Sequence, residues 1–551
     1  MSSLTYYERE LQAACVDSGT CRRKLRRASN AVATYFTPSA STSPQMAKLN
    51  PMGGGVVDAG DPQWSSFRSS LPLLLLFACF FLLCSHLLPR LSRHLTKIRV
   101  HAVLGVGFLL FLHGVGSFFP LSLLLVYHYL PPLLPPLFPG VPASRVTVLT
   151  LLLLFTLTIC FKDPNLYKVS FGSLLGPSFA WLDHPDYNGE YSWHLSVNLV
   201  SLRLISYAWD RSEPYAPYEK AAASALTLKE RSRSPHPPSS YSLPSLLAYT
   251  FYAPLYLSGP TLTYNTYLSL LASPPTPPYR SYTPLYLLRL AMSVFYLEAI
   301  LSLTYPFAFS SLTFNPSIPP EITLSNTWFT LCAMYLKFQT LWRVARAWTL
   351  LDGMDVPENM LRVWNDNYNI SGFWKHWHAS FNKWLVRYIY VPTGGNKVPA
   401  LSVTLTFLFV AVWHDVEPKL VAWGLLNALF FVVEKFCMGQ YYKVCKRRGV
   451  DRTGLPARLF EGCCAGGFIF VLMAVNSIGY AVGLEGVGQL LRNMCTAGGA
   501  AFVFGGWSAF TCGSMVMFEI REIEKRADKI EAGVVEDVGE SGKEEEEAKQ
   551  K

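Results

Sequence analysis

Charge is scarce in this chain. Only 15% of its 551 residues are Asp, Glu, Lys or Arg, where a soluble protein of this size carries nearer ~25%. That shortage argues against an ordinary water-soluble globule. Paired cysteines are missing too. The 12 cysteines show no C-x-x-C spacing, and Cys463–Cys464 is the single close pair, so neither a zinc ribbon nor a disulfide framework is expected. The thiols read as small apolar fillers of helices, and no metal site is anticipated. There is no H-E-x-x-H, no G-x-S-x-G elbow and no Walker-type loop, which removes the metalloprotease, serine-hydrolase and nucleotide-hydrolase readings. No internal repeat is visible either.

What is present is hydrophobic length. Apolar residues make up 51% of the chain and aromatics 14%, and the apolar residues come in blocks. A membrane helix needs ~20 such residues to cross ~30 Å of hydrocarbon. Candidate blocks are 71–88, 100–119, 121–134, 146–161, 195–209, 246–257, 285–309, 328–345, 401–413, 421–436, 467–482 and 500–518. Several fall short of a full span, so about ten to twelve membrane segments are expected, some tilted or re-entrant. The fold class expected is all-α, a polytopic membrane protein. The net charge of +10 sits largely in short loops, such as Arg90, Arg93, Lys97 and Arg99, and Lys446, Arg447 and Arg448. Such loops mark a cytoplasmic side rather than a nucleic-acid surface.

Residues 1–70 carry a basic cluster, from Arg22 to Arg27, and then a Ser/Thr/Gly/Pro-rich stretch. They read as a flexible tail; no apolar core follows the first basic residues, so a cleaved signal peptide is not expected. Residues 71–520 form the membrane domain and 521–551 a charged tail. Arg203 and Glu298 lie inside apolar blocks, either paired or lining a cavity. Tyr249, Tyr252, Tyr256, Gly259 and Pro260 read as an aromatic belt and a turn, with a binding role as the alternative. Asn369-Ile-Ser371 fits a glycosylation acceptor but is too short a pattern to count.

Two segments carry chemistry. In Phe373–Gly395, Trp374, Trp377, His378, Phe381, Trp384, Leu385 and Tyr388 follow helical spacing. His376, Ser380, Lys383 and Arg387 fall on the opposite face, and Pro392, Gly394 and Gly395 stop the helix. His378 is the one titratable group on an otherwise apolar face. The second segment, Leu401–Asp415, runs apolar straight into Trp413 and His414, placing an imidazole at a helix end at or below the membrane surface. Each histidine also fits a packed, hydrogen-bonded structural role, and periodicity does not choose. Acyl transfer to a hydroxyl needs a base for the hydroxyl proton and donors for the developing oxyanion. A histidine at the end of a membrane helix meets that need where a greasy acyl chain and a charged coenzyme can meet.

The stretch W-K-H-W-H-A-S-F-N-K-W-L-V-R-Y-I-Y-V-P-T-G-G, followed by W-H-D after an apolar helix, resembles the signature of the membrane-bound O-acyltransferase (MBOAT) family. The resemblance points to its glycerol-uptake (Gup) branch, related to Hedgehog acyltransferase. Asp61–Arg68, Trp193–Asn198 with Leu202–Ser206, Tyr256–Pro260 and Ala347–Asn359 support that branch as a set. It implies a ring of tilted helices around a central catalytic tunnel. It also implies His414 as the catalytic histidine and His378 at the second polar position. Trp377, Asn382, Arg387, Tyr390 and Trp413 would line the substrate and acyl-CoA channel, with Lys375 at a position that commonly holds Arg in the family. Lys lacks the planar bidentate contact that Arg makes to phosphate.

The activity implied is transfer of a long acyl chain from acyl-CoA to a lipid hydroxyl, with a lysophospholipid or lyso-GPI acceptor (GPI lipid remodelling), in the endoplasmic reticulum membrane. Acyl-CoA is then a co-substrate, and no permanently bound cofactor is expected. The rival readings are a polyol (glycerol) transporter and a non-catalytic regulator of protein acylation. A carrier should gather polar residues at the bilayer midplane and often repeats a half; here the notable polar groups sit at helix ends.

Overall fold

The computed structural model describes residues 47–49, 56–162, 169–215, 228–272, 278–310, 318–363 and 366–531. Most of the expected N-terminal tail and the end of the charged C-terminal tail lie outside them. Apart from a short antiparallel ribbon, β1 (Ala47–Leu49) with β2 (Val56–Asp58), the described structure is helical. The chain divides into two compact units, Met1–Thr158 with Val169–Val356, and Ile159–Lys168 with Pro357–Lys551.

The first unit holds α1 (Pro62–Leu91), α2 (Lys97–His113), α3 (Phe118–Leu133), most of α4 (Ala143–Lys162), α5 (Val197–Ser212), α6 (Leu243–Thr250), α7 (Tyr264–Ala272), α8 (Pro278–Leu303) and α9 (Pro320–Leu351). Asp61 starts α1: its side chain accepts from Trp64 N at 2.7 Å and meets the Lys337 ammonium at 2.6 Å, with Pro62 in the first turn, where a missing N–H costs nothing. Glu298 accepts from Trp64 Nε1 at 3.2 Å and pairs with Arg68 at 3.1 Å. The first helix therefore begins at Pro62 and includes residues read as tail, because Asp61, Trp64 and Arg68 are bound to α8 and α9. Glu298 is paired rather than lining a cavity. Arg203 is buried and donates to the carbonyls of Thr250 and Leu255, joining α5 to the end of α6.

Asp352, wholly buried just past α9, is the polar hub of this unit. Its carboxylate accepts from Ser85 Oγ at 2.5 Å and Tyr252 OH at 2.6 Å. It lies 3.1 Å from His101 Nε2 and 3.3 Å from Lys97 Nζ. One carboxylate thus ties α1, α2 and the turn after α6 to the end of α9, and the low-dielectric surroundings make an unpartnered version costly. Tyr249, Tyr252 and Tyr256 are at most 2% exposed. They are core residues with bonded hydroxyls, not the interfacial belt that their spacing suggested.

The second unit holds α10 (Ile370–His376), α11 (Ala379–Leu385), α12 (Pro399–His414), α13 (Pro418–Arg448), α14 (Leu455–Tyr480), α15 (Gly483–Met494) and α16 (Ala497–Glu531). Among the described residues seven helical runs are long and apolar enough to cross a membrane: Pro62–Leu91, Lys97–Leu137, Ala143–Lys162, Tyr282–Leu303, Pro418–Arg448, Leu455–Tyr480 and Ala497–Ile530, with Pro399–His414 as a shorter apolar helix. That is fewer than the ten to twelve segments expected. Blocks 100–119 and 121–134 join into one run, bent at the turn Gly114–Ser117. Block 246–257 breaks into two short helices. Block 195–209 becomes α5, which buries Arg203 and Asp210, and block 328–345 lies in α9, which carries Lys337, Gln339, Arg343 and Arg346. Neither is among the runs long and apolar enough to cross a membrane.

Helices α2 and α6 touch through Gly105: a Cβ there would lie 2.4 Å from Phe251 O. Gly105→Ala should therefore push α2 off its neighbour and destabilise the purified protein by about 1–3 kcal/mol, read as a lowered melting temperature in detergent. Gly107→Ala, where a Cβ would meet nothing within 4 Å, should instead raise stability by about 0.5–1 kcal/mol, as removal of a mid-helix glycine does.

Candidate active site

The segment Phe373–Tyr390 does not form the single helix that its periodicity suggests. It breaks at Trp377–His378 into α10 and α11, then winds as a π-helix over Val386–Tyr390. Asn369 Oδ1 caps α10 by accepting from Gly372 N at 2.5 Å, so its side chain serves the helix start. The buried Glu434 accepts from Ile370 N at 2.5 Å. At the other end, Leu361 N donates to His376 O at 3.2 Å and Asn382 Nδ2 donates to Trp374 O at 2.6 Å. His378 then sits at φ 44°, ψ 49°, in the left-handed region, which costs a residue with a Cβ about 1–2 kcal/mol.

Asn359 holds this break open. Its carbonyl accepts from Ala379 N at 2.8 Å. Its side-chain oxygen accepts from Ser380 N at 3.2 Å and Ser380 Oγ at 2.6 Å. Asn359 is wholly buried. It satisfies the free donors at the start of α11, a task that the His378 side chain does not perform. A strained histidine braced from outside its own helix is the kind of backbone feature that clusters at functional sites.

His414 is the last residue of α12. Lys162 Nζ, at the end of α4 and itself buried, donates to His414 O at 3.1 Å and to Asp415 Oδ1 at 2.6 Å. A cation thus satisfies a carbonyl at the negative end of α12. The His414 ring is half-buried, among Trp413 at 4.7 Å, Tyr480 at 5.9 Å and Trp423 at 6.2 Å between ring centroids. Trp423 is fixed by its Nε1 donating to Asn476 Oδ1 at 2.9 Å, and α14 approaches it closely at Gly479, where a Cβ would lie 2.8 Å from its ring. The two histidines are linked through rings: His378 is 5.2 Å from Phe381, Phe381 is 4.7 Å from Trp413, and Trp413 stacks edgewise on His414. Desolvation among these rings first, and the His414 imidazole second, push His378 below the ordinary histidine range, which leaves it neutral at physiological pH.

The other anticipated positions fall into two groups. Trp413 is buried between the histidines, and Trp377 stacks on Phe373 at 5.7 Å. Asn382, Arg387 and Tyr390 shape the backbone around the site. Asn382 ties α11 to α10, Arg387 lies over the Tyr388 ring at 5.4 Å, and Tyr390 OH donates to Asn396 Oδ1 at 2.9 Å. Lys375 is exposed on the last turn of α10. His376 is half-buried and bonded to Asn367 Oδ1 at 2.8 Å, not a freely hydrated group. Sequence reasoning missed Lys162, Asn359, Trp423 and Tyr480. A lysine closing an apolar block was the available signal for Lys162; the others are visible only in three dimensions. Among the described residues no group of three or more His, Cys, Asp or Glu could hold a metal ion.

The sequence profile of the MBOAT, membrane-bound O-acyltransferase family, matches residues 148–465, a run that contains both histidines. The chain belongs to the membrane-bound O-acyltransferase family. It is 33% identical over 496 residues to membrane-bound O-acyltransferase GUP1 of Saccharomyces cerevisiae, covering 86% of this chain and 84% of that one. It is 31% identical over 494 residues to membrane-bound O-acyltransferase gup1 of Schizosaccharomyces pombe, covering 86% and 81%. Protein-cysteine N-palmitoyltransferase HHAT of Mus musculus is 28% identical over 229 residues, 39% of this chain and 45% of that one. This MBOAT chain is therefore an integral membrane acyltransferase.

The strain at His378 separates backbone from imidazole. His378→Gly, which accepts a left-handed backbone freely, should be about 1 kcal/mol more stable than His378→Ala, measured by thermal unfolding in detergent. Equal stability of the two would mean that the left-handed turn relaxes when the ring is removed.

Proposed function

We propose that this MBOAT chain moves a long acyl chain from acyl-CoA to the hydroxyl of a lipid, with a lyso-GPI anchor as acceptor, in the endoplasmic reticulum membrane. The observation that carries the reading is the linkage of His378 to His414 through Phe381 and Trp413, in a chain that matches two relatives named as O-acyltransferases over more than four fifths of their length. Those names favour an oxygen acceptor over the cysteine nitrogen named for the shorter-matching HHAT. The lyso-GPI acceptor and the membrane rest on the resemblance to the Gup branch.

In this reading His414 is the general base. Its neutral imidazole takes the proton of the acceptor hydroxyl as that oxygen bonds to the thioester carbonyl carbon. The carbonyl oxygen becomes an oxyanion, held by the N–H of neutral His378. Collapse of the tetrahedral intermediate breaks the C–S bond. The coenzyme thiolate leaves and takes up the proton held by His414, giving an ester and free coenzyme A. Lys162 keeps the end of α12 in place through the His414 carbonyl and Asp415, and Trp413, Trp423 and Tyr480 shield the ring from bulk water.

Microsomes carrying wild type or His414→Ala at equal protein levels should differ by about 10²–10⁴-fold in transfer of labelled acyl-CoA. Equal transfer would end the base assignment. GPI-anchor lipids from cells lacking the chain should retain the unremodelled lyso or short-chain form; unchanged anchors would move the acceptor to another lipid hydroxyl.

A further inference from the structure

Among the described residues, two arginines of the first unit, Arg289 and Arg343, stand close together with no acid beside them. Arg289 is on α8, a candidate membrane span, about 10 Å along it from Tyr282, and Arg343 is on α9, about 12 Å before Leu351. The helices run antiparallel here: Tyr282 accepts from Arg346, and Ser293, about three turns further along α8, accepts from the earlier Arg343. Both guanidinium groups therefore lie near the same end of the helix pair. They line a groove of about 280 Å³ whose walls include Leu288, Met292 and Leu336. Leu288 is 58% exposed, so the groove opens toward the surroundings of a membrane helix.

Arg343 is held in place by its own neighbours. Its Nη1 donates to Ser293 Oγ at 2.5 Å and reaches Arg289 O at 3.5 Å, while its Nε is buried without a hydrogen-bond partner. Among the described residues no carboxylate lies within 4.0 Å of either arginine. Three other cations of this unit do meet an acid. Arg346, one turn away, meets Asp355 at 2.8 Å, Arg68 meets Glu298, and Lys337 meets Asp61. A charge in that setting is costly unless compensated, and here no described carboxylate compensates it.

We propose that this groove binds one anionic phospholipid, its phosphate between Arg289 and Arg343 and an acyl chain along Leu288, Met292 and Leu336. Arginine suits the task, because its planar fork matches a phosphate and its stem reaches toward the headgroup level from inside a span. A zwitterionic choline lipid is a poorer occupant, since its own cation opposes the arginines. The proposal stands apart from the histidines and from the identity of the acyl acceptor.

The test uses the full chain in nanodiscs of phosphatidylcholine containing a minor fraction of phosphatidylinositol, followed by delipidating purification and quantification of the retained lipid. Phosphatidylinositol should be enriched over its bulk fraction by roughly tenfold in wild type. Arg289→Gln/Arg343→Gln should fall to the bulk ratio, and Arg289→Lys/Arg343→Lys should keep part of the enrichment. If the double variant does not fold, Arg289→Gln alone serves, since Arg289 is exposed, and should lose most of the enrichment. Equal retention by wild type and the Gln variants, or wild-type retention at the bulk ratio, would overturn the proposal. So would displacement of the lipid by inorganic phosphate, which would make the groove a free-anion site.

Discussion

A histidine backbone does not stay left-handed unless the helix ends on either side of it are fixed by something else. In the second unit that constraint is met by two asparagines. Asn382 reaches back to the carbonyl of Trp374, and Asn359 supplies three acceptor contacts to the first turn of α11. Together they turn a run that would otherwise continue as one amphipathic helix into two short ones. The turn directs His378 against Phe381, and through Phe381 toward Trp413 and His414. Without the break, the spacing of His378 would leave it one more residue on a Trp-rich face.

The same logic recurs at His414. A helix that ends inside an apolar setting leaves carbonyls that water cannot reach. Lys162 answers that need at the end of α12, and its pairing with Asp415 keeps the ammonium from being an isolated buried charge. In the first unit Asp352 does the equivalent work for α9. Each of these is a polar group whose partner comes from a distant part of the sequence. In a protein with so few charges, the ones inside the helical core are mostly spent on fastening helix ends.

This accounts for stretches that marked the Gup branch without an evident chemical role. Asp61–Arg68 fastens the start of α1 to α8 and α9. Leu202–Ser206 contains the arginine that caps α6. Ala347–Asn359 contains the Asp352 hub, Asp355, which pairs with Arg346, and the brace under His378. They are fastening residues, and their spacing along the chain reflects which helix ends must be joined.

Sequence alone determined the class of solvent and the helical fold, and it singled out two histidines as candidates. Hydrophobic length and scarce charge are local properties, and an imidazole among tryptophans is conspicuous at any resolution. The chain could not by itself say which apolar blocks meet lipid and which are packed inside the protein. α5 and α9 look like spans until Arg203, Lys337 and Arg346 are seen to have partners. Nor could helical periodicity reveal the break at His378, because the residues that enforce it, Asn359 above all, lie outside the segment. Lys162, Trp423 and Tyr480 came to the site from other helices, and the groove that brings Arg289 and Arg343 together became evident only once α8 was seen packed on α9. Those features depend on long-range hydrogen bonds and ion pairs, which only the tertiary structure decides.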